Sequence, residues 1–113
     1  MKGNQSDKKT GQSGISDKVT VEKLEKYFSV TKRALDKVKI VKSGNISGKD
    51  FEKYARDFLD MAQRYYSDAE HFAEKGDVVT AFAALNYAHG WLDAGARLKL
   101  FDVDHDSELF TVD

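Results

Sequence analysis

The sequence predicts an all-α protein, an antiparallel up-down-up three-helix bundle, from three observations. Apolar residues recur at helical spacing in three stretches, at about 20–40, 48–75 and 78–100. The 113 residues include no proline, so nothing interrupts long helices. The connection between the second and third stretches is so short that these helices must form an antiparallel hairpin. The bundle is expected over residues 18–103, between a flexible N-terminal arm and an acidic C-terminal tail.

The composition is that of one globular domain. Eighteen Lys and Arg nearly balance 19 Asp and Glu, and the formal net charge of -1 argues against nonspecific binding to nucleic acid or anionic lipid. No apolar run approaches the roughly 20 residues of a membrane span. Neither a signal-peptide core nor any cysteine is present. These features predict a cytoplasmic protein without contact to membranes.

Residues 1–17 are predicted to be a disordered arm, because Gly, Ser, Lys and Gln dominate them and almost nothing in them can be buried. Lys2, Lys8 and Lys9 offer contacts to an acidic partner. A tail that only solubilises the protein is the other interpretation.

The first helix is expected from Thr20, its predicted N-cap, to Ile40. Glu22 near the start and Lys37 near the end carry the charges that a helix dipole favours. The apolar positions recur at helical spacing: Val21, Leu24, Tyr27, Phe28, Thr31, Ala34, Leu35 and Val38.

The second helix has the clearest start signal. Ser47 and Asp50 fit a variant of the capping box, and Ile46 and Phe51 are spaced for a hydrophobic staple. Gly76 is the predicted stop. The predicted buried stripe comprises Phe51, Tyr54, Ala55, Phe58, Ala62, Tyr65, Ala69, Phe72 and Ala73.

The third helix, with Asp77 as its predicted N-cap, is apolar over much of its circumference. Its first apolar face comprises Ala84, Tyr87, Trp91, Ala94, Leu98 and Phe101. Its second comprises Ala81, Leu85, Ala88, Leu92 and Gly95. So broad an apolar surface must be covered by more than one neighbour. Trp91 is expected to be the central core residue.

One part of the third helix also carries a family resemblance. The run AFAALNYAHGWLDAG, from Ala81 to Gly95, resembles an archaeal family known as Domain of Unknown Function 357. Four other segments are similar to it: FLDMA and YYSDA in the second helix, Gly76-Asp77, and LKLFDV at residues 98–103. The likeness covers roughly residues 24–103. It implies a small helical bundle from an archaeon, and it implies no activity, so it transfers no catalytic residue.

The polar strip of the third helix is the first candidate site. Asn86, His89, Asp93 and Arg97 are stacked on it, Phe82 projects onto it, and Gly90 beside it leaves room for a ligand. An exposed Phe beside small residues is typical of a docking surface. The hypothesis is an interaction patch, and the alternative is a solvent face held by i,i+4 pairs. The patch comprises Phe82, Asn86, His89, Gly90, Asp93 and Arg97.

The second candidate is Arg64 with His71. Their spacing resembles the Arg-His signature of HEPN-type ribonucleases, also helical bundles, in which the two residues act on the RNA phosphate. The alternative is a surface ion-pair face with Asp68 and Glu74.

The third candidate is the tail, residues 104–113. Asp102, Asp104 and Asp106 alternate as at the start of a calcium loop, with Asp113 at its twelfth position. Ser107 replaces the loop glycine, so a solvated tail is favoured. Its apolar residues are expected to pack on the bundle or bind a partner: Leu109, Phe110 and Val112.

The sequence therefore predicts a protein–protein interaction module without enzymatic activity, which binds a partner or self-associates through the third helix or the tail. The alternative is an RNA-directed role, as a HEPN-like ribonuclease or an adaptor. No catalytic residue, cofactor or metal ligand set is predicted.

Overall fold

The computed structural model of the chain describes residues 17–41 and 48–111. Within them, three helices confirm the predicted all-α bundle: α1 (Val21–Lys37), α2 (Gly48–Glu74) and α3 (Val78–Arg97). No helix in these two ranges has the length and apolar character needed to cross a bilayer.

Two short strands, β1 (Lys39–Ile40) and β2 (Phe101–Asp102), pair in antiparallel register. Ile40 faces Phe101, and the Val41 amide donates to the Leu100 carbonyl at 3.0 Å. The pairing holds the carboxyl ends of α1 and α3 at one end of the molecule, which gives the up-down-up order. The predicted first helix is therefore too long, because the chain becomes extended at Val38 to reach β2.

Two predicted N-caps are present. Thr20 Oγ1 accepts the Lys23 amide at 3.0 Å, and Asp77 Oδ1 accepts the Thr80 amide at 3.1 Å. Each satisfies a donor that the first helical turn leaves without a backbone partner. The predicted capping box and staple at 46–47, the arm before Asp17 and the last two residues lie outside the described residues.

Gly76 ends α2 as predicted. Its φ of 81° is a left-handed conformation that glycine adopts without a steric penalty. The Asp77 amide donates to the Phe72 carbonyl at 2.9 Å, and the Gly76 amide to the Ala73 carbonyl at 3.0 Å. This pair of bonds closes the end of α2. α3 begins at Val78, two residues after Gly76.

The end of α3 has the same pair of bonds without a glycine. The Lys99 amide donates to Ala96 at 3.1 Å and the Leu100 amide to Gly95 at 2.9 Å. Lys99 takes the left-handed position with a φ of 63°. The third helix thus stops at Arg97 and not near residue 100, because the chain must turn here to enter β2.

The core lies where α2 meets the second apolar face of α3. Ala55, Ala62 and Ala69, seven residues apart on α2, are fully buried, which lets the helices approach closely. Leu85 and Leu92 are the largest fully buried side chains. The expectation that Trp91 is the centre is wrong: its ring is partly exposed and lies edge-on to Phe58, with centroids 5.0 Å apart.

The first apolar face of α3 is less covered by neighbouring helices than the sequence predicts. α1 packs chiefly on α3 along the other side, and it touches α2 at few points, one of them the edge-on contact of Phe28 with Tyr66. Tyr87 therefore stays 57% exposed and Leu98 60% exposed. Phe101 is buried, but as a residue of β2 and not of the helix.

The tail packs back on the bundle through residues 109–110. Leu109 and Phe110 are 6% and 3% exposed. Together with Val103 they belong to the part of the core near the carboxyl ends of α1 and α3, here called the lower core. For Leu109 and Phe110 the expectation of packing on the bundle is thereby confirmed, whereas Val112 lies outside the described residues.

Candidate functional site

Four of the six residues of the predicted patch line one groove between α1 and α3. The volume of this α1–α3 groove is about 460 Å³. Its α3 wall is formed by Asn86, His89, Gly90 and Asp93, and its α1 wall by Lys26, Tyr27, Val30 and Thr31. α1 supplies the apolar surface that the polar strip of α3 lacks, so the two helices together make an amphipathic cleft.

The other two patch residues lie outside the groove. The Phe82 ring is half-buried, 4.8 Å from the Tyr27 ring between centroids, and the ammonium of Lys23 lies 5.5 Å from its centre. The expectation of a solvent-exposed Phe82 is wrong, since α1 passes over α3 at this point. Arg97 is exposed at the end of α3 and does not line the groove.

His89 and Asp93 fasten the tail at the lower end of the groove. His89 Nε2 donates to the carbonyl oxygen of Leu109, 2.5 Å away, and Asp93 Oδ1 accepts the Thr111 amide at 2.8 Å. His89 Nε2 and Asp93 Oδ1 are 3.8 Å apart. Both side chains thus serve a structural contact that the sequence could not reveal, because the tail lies about 20 residues away along the chain.

Gly90 keeps the wall of the groove open. A Cβ built at this position would meet no atom within 4 Å, so no packing contact requires a glycine. A glycine inside a helix costs about 1 kcal/mol relative to alanine. Gly90 therefore lowers the stability of α3 locally, at a position that borders both the groove and the outer surface of the helix.

The α1 side of the groove is basic. Lys23, Lys26, Arg33 and Lys37 recur at helical spacing with Val30 and share one side of α1. Lys37 lies 3.9 Å from Asp104 and 3.6 Å from Asp106 in the tail. Across residues 17–41 and 48–111, neither Lys26 nor Arg33 has an ion-pair partner.

A second surface, here called the aromatic face, lies on the outer side of the α2–α3 hairpin. Tyr87 stands edge-on to Tyr65 with ring centroids 4.5 Å apart, and Tyr54 of α2 is 56% exposed. Thr80, the one polar residue on the α3 part, carries no charge, so an uncharged stripe runs for about 27 Å along the helix. The α3 part comprises Thr80, Ala83, Ala84, Tyr87, Trp91, Ala94 and Leu98, and the α2 part Tyr54, Phe58 and Tyr65.

Arg64 and His71 are both exposed on α2. Arg64 Nε lies 2.8 Å from Asp60 Oδ2, and the His71 ring contacts Phe72. Two helical turns, about 10 Å of rise, separate the pair. No further group joins them into a site within the described residues, and the RNA-directed role stays a prediction.

The acidic residues of the tail cap its turns. Asp102 Oδ1 accepts the Asp104 amide at 3.0 Å, and Asp106 Oδ1 accepts the amides of Glu108 and Leu109 at 3.1 Å. Over 17–41 and 48–111, no three His, Cys, Asp or Glu side chains are grouped to hold a metal ion.

Shifted pKa values occur away from the groove. Burial raises the pKa of Tyr66, with a smaller contribution from the charge of Glu70, while Lys32 acts in the opposite direction. The hydrogen bond to Asp36 raises the pKa of Lys32. Both effects belong to the junction of α1 with α2.

Comparison with known proteins gives one match. The model of a family described as a protein of unknown function, DUF357, matches residues 26–101, which covers α1 from its second turn, α2, α3 and the start of β2. No curated protein and no solved structure matches the chain.

Proposed function

The chain belongs to the DUF357 family of proteins of unknown function, and we propose that it is a protein-interaction module without enzymatic activity that self-associates through the aromatic face. The observation that carries the proposal is the exposure of Tyr87, Leu98 and Tyr54, each between 56% and 60%. Large apolar side chains left together in water mark an interaction surface more often than a free one.

The size of the aromatic face supports a second copy as its partner. A tyrosine or leucine side chain offers roughly 200 Å², so three half-exposed ones contribute about 300 Å². The partly exposed Trp91 and Tyr65, with the alanines between them, bring the face toward about 600 Å². A weak, reversible dimer buries about that area on each partner.

The shape of the aromatic face also suits a two-fold dimer. Ala83 and Ala94 flank Tyr87 and Trp91, so two α3 helices lying antiparallel would place the large rings of each copy beside the small residues of the other. Such a contact uses the same surface on both copies, so assembly stops at two chains.

Support for a non-enzymatic role comes from the groove. His89 and Asp93 line the groove together, and each is hydrogen-bonded to the tail. A general base needs a free acceptor within reach of a substrate proton.

The test is the molar mass of the full chain in solution. Light scattering and sedimentation equilibrium, over protein concentrations from about 1 to 500 μM, are expected to show a shift from one to two chain masses of 12.7 kDa. Tyr87→Asp and Leu98→Asp should keep the protein at one chain mass. A dimer of that interface size has a dissociation constant in the micromolar range or weaker.

Val79→Asp is the matched control, since Val79 is 68% exposed on α3 and projects onto the polar strip beside Asn86, not onto the aromatic face. It should dimerise as the unmodified chain does, and circular dichroism should show all three variants folded. A monomer at every concentration, or equal disruption by Val79→Asp, would refute the proposal.

A further inference from the structure

The α1–α3 groove adjoins a segment that is already bound to the same two helices, the chain's own tail. In the tail, Asp104 and Asp106 meet Lys37 of α1, and Leu109 and Phe110 are buried against the bundle. A backbone carbonyl of the tail, that of Leu109, is held by His89. The contacts of the tail therefore show how α1 and α3 bind a segment that has both acidic and apolar side chains.

The open part of the groove has the same kinds of side chain about three turns nearer the start of α1, at Lys26 instead of Lys37. Lys26 supplies a cation without an ion-pair partner across residues 17–41 and 48–111, as Lys37 supplies one to the tail. Tyr27 and Val30 supply apolar surface, and Asn86 supplies a side chain that can bond to a peptide backbone. Gly90 leaves space between them for one apolar side chain.

The charges around the groove favour an acidic occupant over a basic one. Lys26 lines it from α1. Lys23 and Arg33 share that side of the helix, and Arg33 lines the neighbouring pocket with Asp106 and Leu109 of the tail. From α3, the one carboxylate is Asp93, and it is occupied by the Thr111 amide and lies beside His89. Asp36, near Arg33, is paired with Lys32 at 2.7 Å. Across residues 17–41 and 48–111, Lys26 is therefore the charged lining residue that has neither an ion pair nor a hydrogen bond from its side chain.

From these contacts we propose that the α1–α3 groove binds an acidic peptide segment with one apolar anchor side chain, supplied by a partner protein. The carboxylates of the segment lie along Lys26 and Arg33, and the anchor enters the space beside Gly90. This binding site shares only the border residue Gly90 with the aromatic face, and its other lining residues are different, so it stands whether or not the protein self-associates.

The experiment uses the full chain and a fluorescently labelled synthetic peptide with the sequence of residues 102–111, DVDHDSELFT. Fluorescence polarisation should show saturable binding that weakens several-fold when NaCl is raised from about 50 to 500 mM. A peptide with Lys in place of each Asp and Glu, and one with Ser in place of Leu109 and Phe110, should each bind at least about 10-fold more weakly.

Variants of the protein locate the binding. Lys26→Glu and Gly90→Leu should each weaken binding about 10-fold or more, the first by charge and the second by filling the space. Lys32→Glu is the matched control, because Lys32 is exposed on the opposite side of α1. It should leave the affinity unchanged, and circular dichroism should confirm that each variant is folded.

Three results would overturn the proposal. One is no binding of the acidic peptide, and another is equal binding of the lysine peptide. The third is a loss of binding with Lys37→Glu but not with Lys26→Glu, because the peptide would then only exchange with the tail. Molar masses measured on the same samples separate these outcomes from a failure of self-association.

Discussion

The ring of Phe101 lies against the backbone of Gly95, so that a Cβ at position 95 would overlap the ring. Phe101 belongs to β2 and Gly95 to the last turn of α3. Because Gly95 has no side chain, the chain after α3 can reverse direction and pack against the end of the helix. Packing thereby explains Gly95, the second of the two glycines in the run YAHGWLDAG at residues 87–95.

Gly95→Ala is expected to lower the free energy of unfolding by about 1–3 kcal/mol, although alanine is the better helix former. The added methyl group forces the Phe101 ring out of the lower core. Urea denaturation followed by circular dichroism measures the change.

Gly90→Ala is the matched control, since its methyl group would enter open space. It is expected to raise the free energy of unfolding by up to about 1 kcal/mol. Equal effects of the two substitutions would contradict the assignment of a packing role to Gly95 alone.

Lys99→Gly is expected to stabilise the protein by about 1 kcal/mol. Lys99 holds a left-handed backbone conformation at the end of α3, which costs a residue with a Cβ about that much and costs glycine little. Thermal unfolding gives the difference. Lys99→Ala removes the same side chain but keeps the Cβ, and a gain as large as that of glycine would rule out the backbone explanation.

Leu92→Ala is expected to destabilise the protein more than Trp91→Ala. Leu92 is fully buried, and its truncation leaves a cavity at a cost of about 2–5 kcal/mol. Trp91 is partly exposed, so a smaller share of its surface loses burial. Chemical denaturation of both variants tests the order, and the reverse order would restore Trp91 as the centre of the core.

Phe110→Ala is expected to cost about 3 kcal/mol, because the side chain is 3% exposed within the lower core. The signals of His89 should shift in NMR spectra, since its ring is near Phe110 and bonded to Leu109. Glu108→Ala, an exposed change in the same tail, should stay within about 0.5 kcal/mol of the original stability. A negligible effect of Phe110→Ala would mean that the tail does not pack on the bundle in solution.

Stability is expected to fall above about pH 10 in part through Tyr66. Burial raises the pKa of Tyr66 above its ordinary value of 10.0, so its contribution is fully present below that pH. As the pH rises through the folded-state pKa, the unfolded chain loses the proton first and the contribution disappears. Tyr66→Phe should therefore flatten the alkaline loss of stability, measured as unfolding free energy against pH. Tyr54→Phe, at an exposed ring, should leave it unchanged.

The sequence by itself determined the three helices, two N-caps, the Gly76 stop and the burial of the alanine-rich stripes, because spacing and capping are local properties. It could not determine which face of α3 stays open, since Tyr87 and Leu85 look equally apolar in a helical projection.

Only the tertiary structure decided that α1 covers Phe82, that β1 pairs with β2 and that the tail occupies His89 and Asp93. These contacts join residues that are distant along the chain, and their energies depend on where the helices cross. The apolar breadth of α3 was therefore readable from the sequence, whereas the part of it left for a partner was set by the packing of α1.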